Sequence, residues 1–178
     1  MQPQVAVRNA LMIISTLLTG VMAGFFFAFS YDIVFMLDEL PATRYAEVME
    51  LININVRNGM FGTFFFGAVG VSVVALVSLL PSYRSLTFLL FLAGFVVYLT
   101  GTFLVTTQIN LPLNAYIESW NIQMPPADWA EARQQWQDAN FIRTWSSISA
   151  FLLYLLALLT SSFRLQPAAV ATNYPAQS

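Results

Sequence analysis

Four long runs of apolar residues, separated by short polar or proline-containing segments, form the main pattern of this chain. They cover positions 10–37, 51–80, 86–109 and 144–163. Each run reaches the roughly 20 apolar residues that an α-helix needs to cross a bilayer. The pattern therefore predicts an all-α integral membrane four-helix bundle over residues 1–166, with spans at these positions. The first run is too long for a signal-peptide core and is expected to be retained.

The polar segments refine this picture. Pro112 opposes regular helix and is expected to end the third span shortly before it. Asp128 followed three residues later by Glu131 has the spacing of a capping box. It predicts an extramembrane helix over about 129–140 that extends the fourth span. The last residues, 167–178, show no periodic pattern and are predicted to form a flexible tail.

Composition supports a membrane protein and restricts its chemistry. Hydrophobic residues are 58% and charged residues only 9% of the chain, with a mean hydropathy of +0.67, whereas soluble domains carry about a quarter charged residues. A net charge of −2 offers no basic surface for nucleic acid. Cysteine and histidine are both absent, which removes the thiolate and imidazole ligands of zinc, copper and haem. We therefore expect no nucleic-acid partner, no metal site of these kinds and none of the redox cofactors that need such ligands. A metal would have to bind carboxylate and carbonyl oxygens, which suit Mg²⁺, Ca²⁺ or Mn²⁺, and none is predicted.

Charges are distributed unequally between the two ends of the predicted bundle. All nine acidic residues fall on or near the side that carries segments 38–50 and 110–140. The opposite side holds both termini, with Arg8, Arg84 and Arg164 and no acid. Because arginines near span ends favour the cytoplasm, we predict cytoplasmic termini in an inner or plasma membrane.

The sharpest polar cluster lies on the fourth helix. Trp136, Asn140 and Arg143 follow each other at steps of four and three, so they share one helix face. An arginine at the head of a span often anchors the helix at the interface by extending its charge towards water. The shared face favours the alternative, an inward-facing site.

Two further polar sets lie at the same end of the bundle. They are Asn110 and Asn114 after the third run, and Asn53, Asn55, Arg57 and Asn58 at the start of the second. The first pair is either part of a site or satisfies backbone groups freed by Pro112. The second set either contributes to a site or marks the membrane interface.

Small and aromatic residues dominate the first helix. Gly20 and Gly24 are four apart, the spacing at which small residues let membrane helices approach closely. Next to them a phenylalanine-rich run includes Phe26 and Phe29. Such runs are typical of core or lipid contact, but these two side chains are also candidates for the wall of a substrate pocket.

Asp32 is the one acid within a predicted span. A buried carboxylate usually pairs with an arginine, and Arg143 or Arg57 is the expected partner. The second predicted span starts, the third ends and the fourth starts at the same membrane interface, so their polar residues lie at a similar depth. This common depth predicts a single pocket near the outer interface. Its expected members are Asn55, Asn110, Asn140 and Arg143, with Trp136 as a wall.

Four segments of this sequence together resemble the anthrone oxygenase-like membrane family, also called DUF1772. They are Gly24-Phe25-Phe26-Phe27-Ala28-Phe29-Ser30, Ile54-Asn55 with Asn58, Asn110-Leu111-Pro112-Leu113-Asn114, and Trp136-x-x-x-Asn140-x-x-Arg143. They span residues 24–143 in the order that the family shows. The resemblance implies a four-helix membrane protein, some of whose relatives are implicated in oxidising anthrones to anthraquinones without a bound cofactor.

The resemblance suggests roles for the polar residues. Arg143, Asn140 and Asn110 would donate hydrogen bonds to an enolate oxygen, and Asp32 would be the base. The substrate contacts would come from Asn55, Asn58, Asn114, Trp136, Phe26 and Phe29.

The predicted function is thus a cofactor-independent membrane oxygenase that acts on an apolar polycyclic phenol. Its partners would be the lipid bilayer and an apolar aromatic small molecule, with a homo-oligomer possible. The alternative is a non-catalytic membrane module that binds a lipid, a quinone or a partner subunit. A transporter is disfavoured because four helices with short loops leave little room for alternating access.

Overall fold

Four helices long and apolar enough to cross a membrane make up most of the computed structural model, which describes residues 3–163. They are α1 (Pro3–Asp38), α3 (Gly59–Ser82), α4 (Leu86–Glu118) and α5 (Trp129–Phe163), and a shorter helix, α2 (Ala42–Val56), lies between α1 and α3. The predicted all-α membrane bundle with an extended fourth span is confirmed. The protein is an integral membrane protein. Arg164 and the predicted tail at 167–178 lie outside the described residues.

The apolar surface of the bundle points outwards. Large side chains such as Val77 and Leu152 are more than half exposed, as expected for helices whose surroundings are lipid rather than water. Inside, some hydroxyl groups bond within their own helix and others between helices: Thr16 donates to the carbonyl of Met12 at 2.8 Å, and Tyr154 of α5 donates to Ser72 of α3 at 2.9 Å. Polar groups of these helices thus lie inside the bundle, while the outer surface is apolar.

Close helix contacts depend on glycine at defined places. A Cβ added at Gly94 of α4 would lie 2.7 Å from the ring of Tyr154 and 3.1 Å from the carbonyl oxygen of Ala150, both on α5. At Gly20 of α1 an added Cβ would meet a phenylalanine ring of α5 at 2.8 Å, whereas at Gly24 it would meet open space. The packing interpretation of the glycine pair therefore holds for Gly20 only.

The structure divides the predicted second span, 51–80, into two helices. α2 ends at Val56, Arg57 adopts a non-helical ψ of 52°, and α3 begins at Gly59. Asn58 starts α3 by accepting a hydrogen bond from the backbone N–H of Phe61 at 2.9 Å, the usual function of asparagine at a helix N-cap. The predicted span merges the two helices because it takes the polar residues from Asn53 to Asn58 as its first turns, not as the end of one helix and the cap of the next.

The third span does not end before Pro112 as predicted. α4 continues to Glu118 through two π-helical segments, Leu99–Leu104 and Thr106–Asn110, followed by a regular α-helical turn. Pro112 is the second residue of the α-helical segment Leu111–Glu118, which directly follows the second π-helical segment. The helix therefore continues through Pro112, although a proline has no backbone N–H to donate.

An extramembrane cap covers one end of the bundle. Its core packs α2 against the last turns of α1 and α4 and the first turns of α5; the buried members are Leu37, Tyr45, Ala46, Met49, Ile117, Trp120, Ala132 and Trp136. The guanidinium of Arg133 lies over the rings of Trp129 and Tyr45, at 4.8 and 5.9 Å from their centroids. Burial raises the pKa of the Tyr45 phenol, which therefore stays neutral.

Candidate functional site

A small cavity lies beneath this cap, where α1, the α2–α3 junction, α4 and α5 meet. It has a volume of about 50 Å³. Its apolar wall comes from Phe25, Phe26, Phe29, Ile52, Val56, Phe61, Leu111 and Trp136, and its polar wall from Asn53, Arg57, Thr106, Asn110, Asn114, Asn140 and Arg143. The site therefore combines an aromatic enclosure with amide and guanidinium groups.

Arg143 is the charged centre of the cavity. It is 6% exposed, and it donates to Asn140 Oδ1 at 2.6 Å and weakly to Thr106 Oγ1 at 3.5 Å. Its guanidinium lies 4.6 Å from the ring centroid of Phe26 and 5.7 Å from that of Trp136. Within residues 3–163 no carboxylate forms an ion pair with it. The cation is held by one amide, one hydroxyl and two aromatic faces, which leaves it without a neutralising partner.

Asn140 accepts a hydrogen bond from this guanidinium, and further hydrogen bonds hold the Asn140 amide in place. Its Nδ2 donates to Ser30 Oγ at 2.7 Å, and Ser30 Oγ lies 2.7 Å from Thr144 Oγ1. Thr144 Oγ1 also lies 2.9 Å from the carbonyl oxygen of Phe26. This buried chain links α5 to a π-helical segment of α1, Phe29–Ile33, and determines which way the amide oxygen of Asn140 faces.

Trp136 is oriented by two asparagines of α4. Its Nε1 donates to Asn114 Oδ1 at 2.7 Å, and its backbone carbonyl accepts from Asn110 Nδ2 at 3.3 Å. Asn110 is the last residue of a π-helical segment, a distortion that often occurs at functional sites. The indole is thereby held as one wall of the cavity.

Three buried polar atoms on the cavity walls have no hydrogen-bond partner. They are Arg143 Nε, Asn53 Nδ2 and Asn110 Oδ1, and the residues that carry them are at most 6% exposed. An unsatisfied buried polar group costs on the order of 1–3 kcal/mol. Two donors and one acceptor in one small space are suited to a ligand oxygen that accepts hydrogen bonds and a neighbouring hydroxyl that donates one.

An ion pair lies beside the cavity. Arg57 at the α2–α3 junction pairs with Glu118 at the end of α4, and its Nε donates to the carbonyl oxygen of Asn53 at 2.9 Å. The side chains of Arg57 and Glu118 are 48% and 27% exposed, so the pair lies partly in water. It connects the two elements that border the cavity and places a carboxylate next to its wall.

The predicted pairing of Asp32 with an arginine is wrong. Asp32 is exposed, does not line the cavity and forms no ion pair with any described residue. Ser30, two positions earlier, occupies the inward face instead, because residues two apart point to opposite sides of a helix. Asp32 is therefore not placed to act as a base in this cavity.

The predicted position of Asn55 is also wrong, for the same reason. Asn53, two positions earlier on α2, is the residue that faces the cavity, while Asn55 is exposed and donates to the carbonyl of Leu51 at 2.7 Å. Asn55 and Asn58 line a separate groove. Of the other predicted site residues, the structure brings these seven to one cavity: Phe26, Phe29, Asn110, Asn114, Trp136, Asn140 and Arg143.

Several cavity residues were not predicted. Asn53 and Arg57 are two of the four polar residues at the start of the second run. Their spacing of four places them on one helix face, and this was the signal that distinguishes them from Asn55 and Asn58. Thr106 belongs to the polar residues at the end of the third run, but its hydroxyl gave no distinct signal, because hydroxyl residues are common in membrane helices, where they bond to their own backbone. Ser30 and Thr144, which contact Asn140 without lining the cavity, gave no such signal either.

One comparison with known proteins found a match. The family model described as anthrone oxygenase matches residues 55–153, which is more than half of the 178-residue chain. The matched segment includes Asn110, Asn114, Trp136, Asn140 and Arg143 of the cavity. No curated protein and no solved structure matches the chain. A four-helix membrane bundle that encloses these residues, together with a match of this extent, shows that the chain belongs to the anthrone oxygenase family.

Proposed function

We propose that this protein is a cofactor-independent oxygenase that converts an apolar polycyclic phenol of the anthrone type into a quinone. The observation that carries the proposal is the buried, uncompensated guanidinium of Arg143 beside the unpartnered atoms of Asn53 and Asn110. A cation in such a place stabilises negative charge that develops on a bound oxygen. The family match supports an oxygenase-like role.

The chemistry requires the protein to stabilise an enolate. Loss of a proton from the carbon opposite the anthrone carbonyl gives an enolate whose oxygen would accept from Arg143 and Asn53. The electron-rich carbon then gives one electron to O₂, and the resulting radical and superoxide combine to form a C–O bond. After protonation the hydroperoxide loses water, which breaks the O–O bond and leaves a second carbonyl. One substrate and one O₂ thus give one quinone and one water, and the substrate supplies all the electrons.

The proton acceptor in this scheme is Glu118. Among the described residues no carboxylate lines the cavity itself, but Glu118 is ion-paired to the cavity residue Arg57 and is partly exposed. It also lies one helical turn beyond Asn114, on the same face of α4. In this position the carboxylate would take the substrate proton, directly or through water, and pass it to solvent.

Dioxygen uptake by the purified protein tests the proposal. With anthrone as substrate we expect uptake and anthraquinone formation above the rate of spontaneous oxidation, with one atom from ¹⁸O₂ in the product. Arg143→Ala should reduce the protein-dependent rate at least about a hundredfold, as does loss of an oxyanion-stabilising donor elsewhere. Arg84→Ala, which changes an exposed arginine beside Tyr83 at the other end of the bundle, is the matched control.

The outcomes separate the two predicted functions. Equal rates in the presence and absence of protein would overturn the oxygenase proposal. Tight binding of anthrone without uptake would support the alternative, a non-catalytic module for an apolar ligand. We further propose that the termini are cytoplasmic, which places the cavity towards the outer side of an inner or plasma membrane.

A further inference from the structure

A second concave region lies beside the cavity, on the flank of the bundle. It is a groove of about 290 Å³ formed by α1, the end of α2 and the start of α3. The lining residues are Val21, Met22, Phe25, Asn55, Val56, Asn58, Met60, Phe61 and Phe64. The groove is thus apolar apart from the two asparagines, and it is several times larger than the cavity.

The groove and the cavity share a thin wall. Phe25, Val56 and Phe61 line both of them. The rings of Phe25 and Phe61 are in contact, with centroids 5.3 Å apart, and Phe25 also contacts Phe29 at 4.7 Å. The contacting rings of Phe25 and Phe61 therefore lie between the two spaces, where rotation of the rings is the smallest movement that could join them.

The outer edge of the groove faces the surroundings of the bundle. Val21 is 48% and Met60 is 72% exposed, and both lie on helices able to span a membrane. An apolar molecule dissolved in the bilayer would reach the groove from the side. The cavity, by contrast, is covered by the cap on its extramembrane face.

The volumes of the cavity and the groove indicate which part of a polycyclic ligand each of them would hold. Pockets that hold drug-sized ligands begin at roughly 300 Å³, far above the cavity and close to the groove. The donors and acceptor without partners lie at the cavity, and the aromatic faces of Phe25, Phe61 and Phe64 lie at the groove. Aromatic faces of this kind favour flat rings.

We propose that the groove holds the fused rings of the substrate, admitted laterally from the bilayer, while the oxygen-bearing end of the substrate passes Phe25 and Phe61 into the cavity and reaches Arg143. This inference rests on the proposed function, because it assumes that the ligand is an apolar polycyclic phenol.

Filling the groove tests the inference. The double variant Val21→Phe with Met60→Phe places two larger rings at the outer edge, and Val73→Phe with Val77→Phe places two on an exposed part of α3 away from the groove. Binding of anthrone and of single-ring phenol is measured for both by quenching of native tryptophan fluorescence, to which Trp136 in the cavity wall contributes. Lipid-only samples correct for partitioning.

We expect the groove variant to weaken anthrone binding by roughly tenfold or more, the usual effect of obstructing a hydrophobic pocket, and to leave phenol binding within about twofold. The control pair should change neither. Unchanged anthrone binding in the groove variant would overturn the inference. If copurified phospholipid falls while anthrone binding is unchanged, an acyl chain is the occupant and the inference is also overturned.

Arg143→Ala separates this inference from the proposed function. If Arg143→Ala binds neither anthrone nor phenol while the groove variant binds anthrone normally, only the lateral groove is disproved. Normal binding of both ligands by Arg143→Ala would show that the bound ligands do not contact Arg143 and would overturn this inference, whereas the oxygen-uptake rate of the same variant tests the proposed function.

Discussion

Replacing Arg143 by methionine would show whether the arginine stabilises the fold or is kept for its ligand. Methionine retains most of the buried apolar stem and removes only the guanidinium. The group removed donates to Asn140 at 2.6 Å, lies over Phe26 and Trp136, and forms no ion pair with any residue in the described part of the chain. Its burial at 6% exposure means that desolvation is almost complete.

The two sides of the free-energy balance are similar in size. The charged hydrogen bond to Asn140 contributes about 1.5–3 kcal/mol, and the ring contacts contribute about 2 kcal/mol when desolvated. Against these stands the cost of several kcal/mol for burying a cation without a counter-ion. We therefore expect Arg143→Met to change the free energy of unfolding by no more than about 2 kcal/mol in either direction.

Ligand binding should respond much more strongly. Removing one partner of a buried charged hydrogen bond costs about 2–5 kcal/mol, which corresponds to a roughly 30-fold to several-thousand-fold weaker affinity for an anthrone enolate. Thermal unfolding in detergent and anthrone titration of the same preparations measure both quantities. A loss of more than about 4 kcal/mol in stability, with affinity of the remaining folded protein unchanged, would refute the reasoning and make Arg143 a structural anchor.

Three further predictions concern packing, topology and metals. Gly94→Ala should lower the unfolding temperature because its Cβ would meet Tyr154 at 2.7 Å, while Gly24→Ala, which meets open space, should leave the temperature unchanged or raise it; equal effects would contradict the packing described. Cysteines introduced singly at Ser82 and Ser119 should react with an impermeant reagent from opposite sides of the membrane, and labelling of both from one side would rule out the topology. Elemental analysis of purified protein should find no stoichiometric iron, copper or zinc, since the chain has no imidazole or thiolate ligand.

The fold class follows from the sequence because hydrophobicity over some 20 residues is a local property. Four apolar runs and little charge already require helices in a bilayer, where every backbone group must bond within its own segment. The face shared by Trp136, Asn140 and Arg143 also follows from helix periodicity alone. Their place on one cavity wall agrees with that spacing.

Only the tertiary structure decided which neighbouring residues face the cavity. The polar residues at the α2–α3 junction, which include Arg57 and Asn58, did not distinguish a helix boundary from a polar first turn of a span. The backbone angle of Arg57 and the cap formed by Asn58 show that it is a boundary. Because residues two apart lie on opposite sides of a helix, the inward positions went to Ser30 and Asn53 instead of Asp32 and Asn55. The rotation of each helix about its own axis is fixed by packing against helices that are distant in sequence. Local sequence patterns do not contain information about those contacts.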